Sequence, residues 1–290
     1  MSISLTNNAL PDTRSSTRVM PPSERFPAFV LDEAILRELM LGRSTNALHF
    51  LPKALPSGYC DAAVAATSSL SFDAYEKTAG SEDYAPILKY GPTVFDYAGG
   101  QNFTEYFASA RDDAERGSRS FAQAGVANPQ SIALRALRRA WGGEVRIAVE
   151  PDGDTRPSRP YFAGVIRDIE GGALPHVDDA VTETPELAIG NVVAQASLLF
   201  YLQVPAEGGG LRVYDKTATD DDWATMRGYG FDSSAVAGRT FNGVLPTVGS
   251  AVLFRTTQIH SVDPVIGAGR RVTWSTFIGL TKSGDLILWS

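Results

Sequence analysis

The sequence predicts an α+β, mainly β, protein in which a helical N-terminal layer packs on a C-terminal β-barrel or jelly roll. Apolar residues recur at helical spacing through the first half of the chain. The second half switches to β-branched and aromatic runs that are separated by Gly, Pro and Asp. Because no helical pattern separates most of these runs, they indicate a sandwich or barrel rather than a parallel α/β sheet.

Three segments of the first half carry the helical signal. Residues 31–42 and 101–125 have apolar residues at helical spacing, and a glycine ends each run. Residues 128–143 behave similarly: Asn128 is a plausible N-cap that precedes a proline, and Gly142 ends the run. These segments form the predicted helical layer.

The second half contains seven predicted strands and one long exception. The exception, residues 216–248, is polar and dotted with glycine, and it is too long for a simple hairpin. We predict that it is a lid over a substrate site. The predicted strands are 144–150, 161–169, 196–204, 210–215, 249–257, 270–281 and 285–290.

Composition and length are those of a single soluble globular domain. The chain has 290 residues, of which 43% are hydrophobic and 20% charged. We place the domain at residues 26–290, with the helical layer at about 26–143, the barrel or jelly-roll core at about 144–290 and the lid-like insertion at about 216–248. Residues 1–25 read as a polar, partly mobile leader.

The net charge and the lack of an apolar targeting segment limit which kinds of partner we expect. A formal net charge of -7 argues against a nucleic-acid partner, which favours basic surfaces. The leader lacks the apolar core of a secretory signal, and no apolar run approaches the length of a membrane span. We therefore expect a cytoplasmic protein that acts on a small molecule, with no membrane partner; the oligomeric state is left open. The lone Cys60 excludes an internal disulfide and a cysteine-rich zinc site.

A possible metal site begins at His176 and Asp178, in the segment GGALPHVDDA, because residues two apart on an extended segment can point the same way. His260 follows a later predicted strand. Two imidazoles and one carboxylate on one face of a metal leave three positions open, which suits Fe(II) that must bind a co-substrate and O₂. The predicted metal ligands are therefore His176, Asp178 and His260.

Arginines downstream of His260 could bind the co-substrate. Arg271, with Arg270 as the alternative, offers a planar fork to the far carboxylate of 2-oxoglutarate. Thr273 lies on the same strand face as Arg271 and could hold that carboxylate too.

One further side chain has an open role. Tyr201 could line the pocket or only pack in the core. His49 has no carboxylate at ligand spacing and is interpreted as structural.

This pattern resembles the Fe(II)/2-oxoglutarate-dependent oxygenase superfamily, which has a double-stranded β-helix (jelly roll) core, a His-x-Asp…His triad and a distal arginine. Flanking segments are similar to its small-molecule subgroup that contains the welwitindolinone-type indole alkaloid halogenase and the N-succinyl amino acid hydroxylases. Arg167 matches an arginine of that halogenase, and the match implies that it assists 2-oxoglutarate or binds an acidic substrate; it could equally be an ordinary arginine of a strand face. The resemblance implies that Fe(II), 2-oxoglutarate and O₂ are used and that succinate and CO₂ are released. The similar segments are 106–110, 166–179, 204–216, 241–254 and 269–290.

Asp178 distinguishes hydroxylation from halogenation within this subgroup, because the halogenase has a glycine there that leaves room for chloride. An aspartate implies hydroxylation of an unactivated C–H bond in a free amino acid derivative or an alkaloid- or terpenoid-like metabolite. Desaturation, cyclisation or epimerisation would use the same residues. Two other classes remain open: a cupin-like metal isomerase, which needs no 2-oxoglutarate arginine, and a non-catalytic ligand-binding β-sandwich, which needs no metal.

Overall fold

A computed structural model describes residues 20–43, 46–75, 86–97, 103–153 and 157–290. Most of the predicted leader lies outside these ranges. The α-helices are α1 (Pro22–Arg25), α2 (Glu33–Met40), α3 (Ser57–Ala66), α4 (Phe103–Gln123), α5 (Pro129–Trp141), α6 (Ala180–Glu183) and α7 (Asp220–Ala224). The strands are β1 (Leu48–Leu51), β2 (Asp73–Ala74), β3 (Leu88–Tyr90), β4 (Val145–Ile147), β5 (Val149–Glu150), β6 (Arg159–Pro160), β7 (Val165–Asp168), β8 (Ala173–His176), β9 (Ala194–Gln203), β10 (Glu207–Gly208), β11 (Leu211–Thr217), β12 (Phe241–Val244), β13 (Ala251–Phe254), β14 (Gln258–Val262), β15 (Val265–Ile266), β16 (Val272–Leu280) and β17 (Leu286–Trp289).

Two sheets face each other and form the predicted jelly roll. The larger has the strand order β1-β13-β9-β16-β7-β3-β2, and β17 extends it from β16 towards β4. The smaller has the order β12-β11-β14-β8. Apolar side chains of both sheets pack between them, among them Tyr201 and Val252 from the larger sheet and Leu211 and Val213 from the smaller. This arrangement confirms the predicted mainly β fold with a jelly-roll core.

Every residue of strand β16 is buried, because side chains on both of its faces pack against other parts of the fold. Trp274 and Ile278 belong to the apolar cluster shared with the helices, and Trp274 stacks on Phe200 with ring centroids 5.4 Å apart. Thr273 and Ser275 line the internal cavity instead. Alternate side chains of a strand point to opposite faces, so the helical layer packs on one face and the cavity lies on the other.

Helices α2, α4 and α5 lie within the three predicted helical segments, whereas α1, α3, α6 and α7 were not predicted. The side chain of Asn128 accepts a hydrogen bond from the backbone of Gln130, and Pro129 occupies the first turn of α5. Gly142, in the left-handed conformation, ends the same helix. No helix within the described ranges is both long and apolar enough to cross a membrane.

The N-terminal half differs from the prediction because it is not only helical. Strand β1 pairs with β13 at one edge of the larger sheet, and β3 pairs with β7 towards the other edge. Both strands are four residues or shorter, which is too short for a strand alternation to stand out. The segment 216–248 also differs, because its residues Phe241–Val244 pair with β11 as a strand.

Candidate metal centre and cofactor pocket

Strand pairing brings the three predicted ligands together. His176 is the last residue of β8 and lies directly opposite His260 of β14 in the smaller sheet. Asp178 follows two residues later, and its backbone N–H donates to the carbonyl of Thr256 at 3.0 Å. One ligand atom from each of the three side chains lies within 4.8 Å of the others. The three side chains could therefore hold one metal ion together.

Backbone carbonyls determine which nitrogen of each imidazole is available. Nδ1 of His176 lies 2.7 Å from the carbonyl oxygen of Leu174, and Nδ1 of His260 lies 3.0 Å from that of Gln258. A carbonyl oxygen only accepts, so each Nδ1 must carry the proton. Each Nε2 is then the nitrogen with a lone pair for a metal, an orientation that metal-binding histidines commonly have.

The charge state of the site also suits a metal. Burial and the neighbouring His260 imidazole lower the pKa of His176 to about 4, so this ring is neutral at neutral pH. Burial opposes ionisation of Asp178, but the close imidazoles of His260 and His176 outweigh it and lower the pKa of Asp178 to about 2. A neutral imidazole and an ionised carboxylate are the forms that bind metal. This donor set fits Fe(II).

A buried glutamine supports the loop that contains Asp178. Gln195 lies on β9, and its Nε2 donates to the carbonyl of Asp178 at 2.9 Å and to Oγ1 of Thr256 at 3.1 Å. Its Oε1 accepts from the backbone N–H of Ala180 at 3.0 Å. The Asp178 loop is therefore attached to the larger sheet. Sequence reasoning missed this residue, because the predicted strand begins at residue 196, one position after it.

Arg271 points into the interior and has unused hydrogen-bonding capacity. Its Nε donates to the carbonyl of Gly209 at 2.9 Å, and its guanidinium lies 5.2 Å from the ring centroid of Tyr201. Its Nη1 is buried without a hydrogen-bond partner among the described residues, as is Oγ1 of Thr273. Both residues line the cavity. A buried N–H and a buried hydroxyl without partners are costly, and the carboxylate of 2-oxoglutarate would supply the missing acceptor for both.

Arg270 lies elsewhere, although it precedes Arg271 directly. Its side chain is 51% exposed and donates from Nε to Asp168 at 2.8 Å. Arg271, by contrast, is 1% exposed. Consecutive residues of an extended segment point to opposite faces, so only one of the two arginines lines the cavity.

Arg167 lines the same cavity from β7 and lies opposite Thr273 in the pairing with β16. Its Nε donates to the hydroxyl of Tyr75 at 2.7 Å, and its Nη1 donates to Oγ of Ser275. The neighbouring Lys89 has a carboxylate partner, since its Nζ lies 3.2 Å from Asp96. Arg167 has no salt bridge within the described part of the chain.

The cavity of about 140 Å³ takes its walls from both sheets and from the predicted lid. Tyr229, from the segment 216–248, lines it and packs edge-on against His176 with ring centroids 5.8 Å apart. Phe231 of the same segment donates from its backbone N–H to the carbonyl of Pro175 at 2.7 Å. Glu183 of α6 also lines the cavity. Sequence reasoning missed Tyr229 and Glu183 as cavity residues, because neither lies at a recognisable spacing from the triad.

A jelly roll that holds two histidines and one aspartate around an internal cavity has the architecture of a mononuclear non-haem iron enzyme. The family model of the 2OG-Fe(II) oxygenase superfamily matches residues 163–279, which include the triad and Arg271. The chain belongs to this superfamily. It is therefore an oxidoreductase that uses Fe(II) and 2-oxoglutarate.

Two curated relatives are similar over most of their length. The L-gamma-glutamyl-L-propargylglycine hydroxylase of Streptantibioticus cattleyicolor is 33% identical over 211 residues, which cover 71% of this chain and 75% of the relative. The leucinostatins biosynthesis cluster protein S of Purpureocillium lilacinum is 30% identical over 230 residues, which cover 73% of this chain and 88% of the relative.

Solved structures share the fold at low identity. An N-substituted L-amino acid dioxygenase from Burkholderia ambifaria AMMD, in complex with alpha-KG, superposes with a TM-score of 0.58 at 14% identity. The comparison covers 89% of this chain and 91% of that protein. The epimerase SnoN of nogalamycin biosynthesis superposes with a TM-score of 0.50 at 14% identity, over 86% of this chain and 84% of that protein. These likenesses support the jelly-roll fold.

Proposed function

We propose that this oxygenase hydroxylates an unactivated C–H bond of a free amino acid derivative and releases succinate and CO₂. Asp178 is the observation that carries the proposal, because its carboxylate completes a triad whose ligand atoms lie within 4.8 Å of one another. A third protein ligand leaves no ligand position vacant for a halide, so the oxygen-transferring outcome is favoured. The hydroxylase from Streptantibioticus cattleyicolor, at 33% identity, supports the same reaction type.

The residues proposed from the sequence have separate roles in this proposal. His176, Asp178 and His260 hold Fe(II) through two Nε2 atoms and one carboxylate. Arg271 and Thr273 bind the far carboxylate of 2-oxoglutarate, and Tyr201 packs against the arginine. When bound, Fe(II) and 2-oxoglutarate supply the oxidising chemistry with O₂. The protein binds, orients and excludes water from the reacting groups.

Arg167 supports the choice of substrate class. Its guanidinium is placed by Tyr75 and Ser275, and it forms no salt bridge with any described residue. A partly buried cation of this kind favours an anionic ligand. Since Arg271 with Thr273 accounts for 2-oxoglutarate, we assign Arg167 to a carboxylate of the substrate. This favours an amino acid derivative over an uncharged alkaloid- or terpenoid-like metabolite.

Two measurements test the function. Anaerobic addition of Fe(II) and 2-oxoglutarate should produce the weak visible charge-transfer band of the chelate, and His176→Ala should abolish it. Succinate release is then screened with amino acid derivatives under isotopically labelled O₂. A product that gains one labelled oxygen atom supports hydroxylation. A product that loses two hydrogen atoms, an epimer of unchanged mass, or a chlorinated product in chloride buffer contradicts it, and absence of the band contradicts the oxygenase assignment of these residues.

A further inference from the structure

The side-chain amide of Gln195 contacts the backbone of the metal-binding loop, although the residue itself is not a metal ligand. Gln195 is 4% exposed, and its hydrogen bonds reach the Asp178 loop and the turn between β13 and β14. We propose that Gln195 is a positioning residue, which holds the Asp178 carboxylate in the geometry that binds Fe(II). This rests on the proposed function, in which Asp178 is a metal ligand.

The place of Gln195 on β9 directs its side chain towards the metal site. Strand β9 pairs with β16, and Gln195 lies opposite Gly279 in that register. Alternate residues of a strand share a face, and Ser197 and Leu199, which lie on the face of Gln195, line the cavity. The side chain therefore leaves β9 on the cavity side, and its hydrogen bonds reach the loop that follows β8 of the smaller sheet.

The amide of Gln195 holds the backbone groups on both sides of residue 179. Its Nε2 donates to the carbonyl of Asp178 at 2.9 Å, and its Oε1 accepts from the N–H of Ala180 at 3.0 Å. The N–H of Asp178 donates in turn to the carbonyl of Thr256 at 3.0 Å. The backbone of Asp178 is thus fixed at its N–H and at its C=O, and these two contacts set the direction in which its side chain leaves the chain.

Thr256 connects this support to the second histidine ligand. It is fully buried in the turn between β13 and β14, and its Oγ1 accepts from Nε2 of Gln195 at 3.1 Å. Two residues later, the carbonyl of Gln258 orients the ring of His260. Oδ2 of Asp178 lies 3.3 Å from Nε2 of His260. The distance between these two ligands therefore depends on a turn that Gln195 ties to the larger sheet.

Loss of the amide should act on the carboxylate ligand first. A side chain that cannot hydrogen-bond leaves the carbonyl of Asp178 and the buried N–H of Ala180 without this partner, and unpaired buried groups are costly. The loop can relieve that cost only by moving, which moves the Asp178 carboxylate with it. Replacing a residue that hydrogen-bonds a metal ligand typically lowers metal affinity by roughly 10–100-fold.

The test compares Gln195→Met with the matched control Gln130→Met. Methionine keeps an unbranched side chain of similar length but has no amide. Gln130 also donates from Nε2 to a backbone carbonyl, that of Ala163 at 2.6 Å, but it lies on α5 in the helical layer. Fe(II) is titrated anaerobically in the presence of saturating 2-oxoglutarate, and the charge-transfer band reports the affinity and the band maximum. Amide hydrogen exchange of the metal-free proteins reports on residues 177–180.

A second pair of variants covers the case in which Gln195→Met does not fold. Thr256→Val removes the Oγ1 acceptor but keeps the backbone carbonyl that accepts from Asp178, whereas Thr256→Ser retains a hydroxyl. The loss of one neutral hydrogen bond corresponds to a roughly 2–10-fold change in affinity. We therefore expect Thr256→Val to bind Fe(II) more weakly than wild type by about that factor, and Thr256→Ser to bind it as wild type does.

We expect Gln195→Met to lower Fe(II) affinity roughly tenfold or more, to shift the band maximum and to accelerate exchange at 177–180. Gln130→Met should change none of these. The inference is overturned if Gln195→Met binds Fe(II) as tightly as wild type, if both glutamine variants lose affinity equally, or if Thr256→Ser is as weak as Thr256→Val. A normal band that Gln195→Met leaves unchanged overturns only this inference, whereas absence of the band in wild type overturns the proposed function as well.

Discussion

His176 and His260 are direct partners in the antiparallel pairing of β8 with β14, and their ring centroids lie 4.2 Å apart. The two imidazoles are separated by 84 positions in the chain (260 minus 176). Sheet register therefore places them, and each ring is oriented by a carbonyl two residues earlier on its own strand. A metal site built in this way depends on the backbone of both strands as well as on its ligands.

The first prediction compares two adjacent aspartates. Asp178→Asn replaces the anionic ligand with a neutral amide. Loss of a residue that only hydrogen-bonds a metal ligand lowers metal affinity by roughly 10–100-fold, and we expect Fe(II) affinity to fall by more than that here. Asp179→Asn is the matched control, because Asp179 caps α6 and asparagine caps a helix equally well. Its affinity should equal wild type. Metal titration followed by the charge-transfer band measures both; equal losses would contradict the ligand assignment.

The second prediction separates the two consecutive arginines. Arg271→Gln should raise KM for 2-oxoglutarate roughly 30-fold or more, because truncating one partner of a buried charge pair costs about 2–5 kcal/mol. Arg270→Gln removes only a half-exposed contact with Asp168, so KM should stay within about twofold of wild type. Succinate release at varied 2-oxoglutarate provides the measurement. The same increase in both variants would show that Arg271 has no special role.

The third prediction concerns Arg167. Replacement by glutamine should raise KM for an amino acid substrate about tenfold or more while KM for 2-oxoglutarate changes little, since the lost interaction is a charge-assisted hydrogen bond to the substrate. The two KM values in one variant act as each other's control. If KM for 2-oxoglutarate rises instead, Arg167 assists the co-substrate, which is the other role that the sequence left open.

The fourth prediction uses two neighbouring glycines before the triad. Gly172 has φ +81° and is buried, and a Cβ there would come within 2.5 Å of the carbonyl oxygen of Val262. Gly172→Ala should lower the free energy of unfolding by about 1–3 kcal/mol or more and weaken Fe(II) binding, because it disturbs the pairing of β8 with β14. Gly171→Ala, at an exposed neighbour, should do neither. Denaturant unfolding and metal titration test both.

The fifth prediction concerns Cys60. Burial raises the pKa of this thiol to about 12, so at about pH 8 almost no thiolate, the reactive form, is present in the folded protein. Native enzyme should therefore react with an alkylating reagent only as fast as it opens, and should react fully in denaturant. A Ser118→Cys variant, which adds an exposed thiol on α4, should label promptly at that one site. Fast labelling of wild type would show that the surrounding core opens.

The sequence predicted the mainly β fold because most long strands and helices carry strong local patterns. β9 and β16 are long apolar runs, and α5 has a cap, a proline and a terminal glycine in their usual places. β1 and β3 escaped prediction since they are short and gain their stability by pairing with β13 and β7. The pattern of residues within such a strand carries little information about its partner.

The sequence by itself determined the fold class and proposed three metal ligands, because a His-x-Asp pair and a later histidine within a β-rich half restrict the chemistry strongly. Tertiary structure decided which residues share the cavity. Arg270 and Arg271 are adjacent in the chain, and only the tertiary structure shows that Arg271 is buried while Arg270 is exposed. Gln195, Arg167 and Glu183 reach the site from three separate elements. Their convergence arises from strand pairing and packing across the chain, and no local spacing records it.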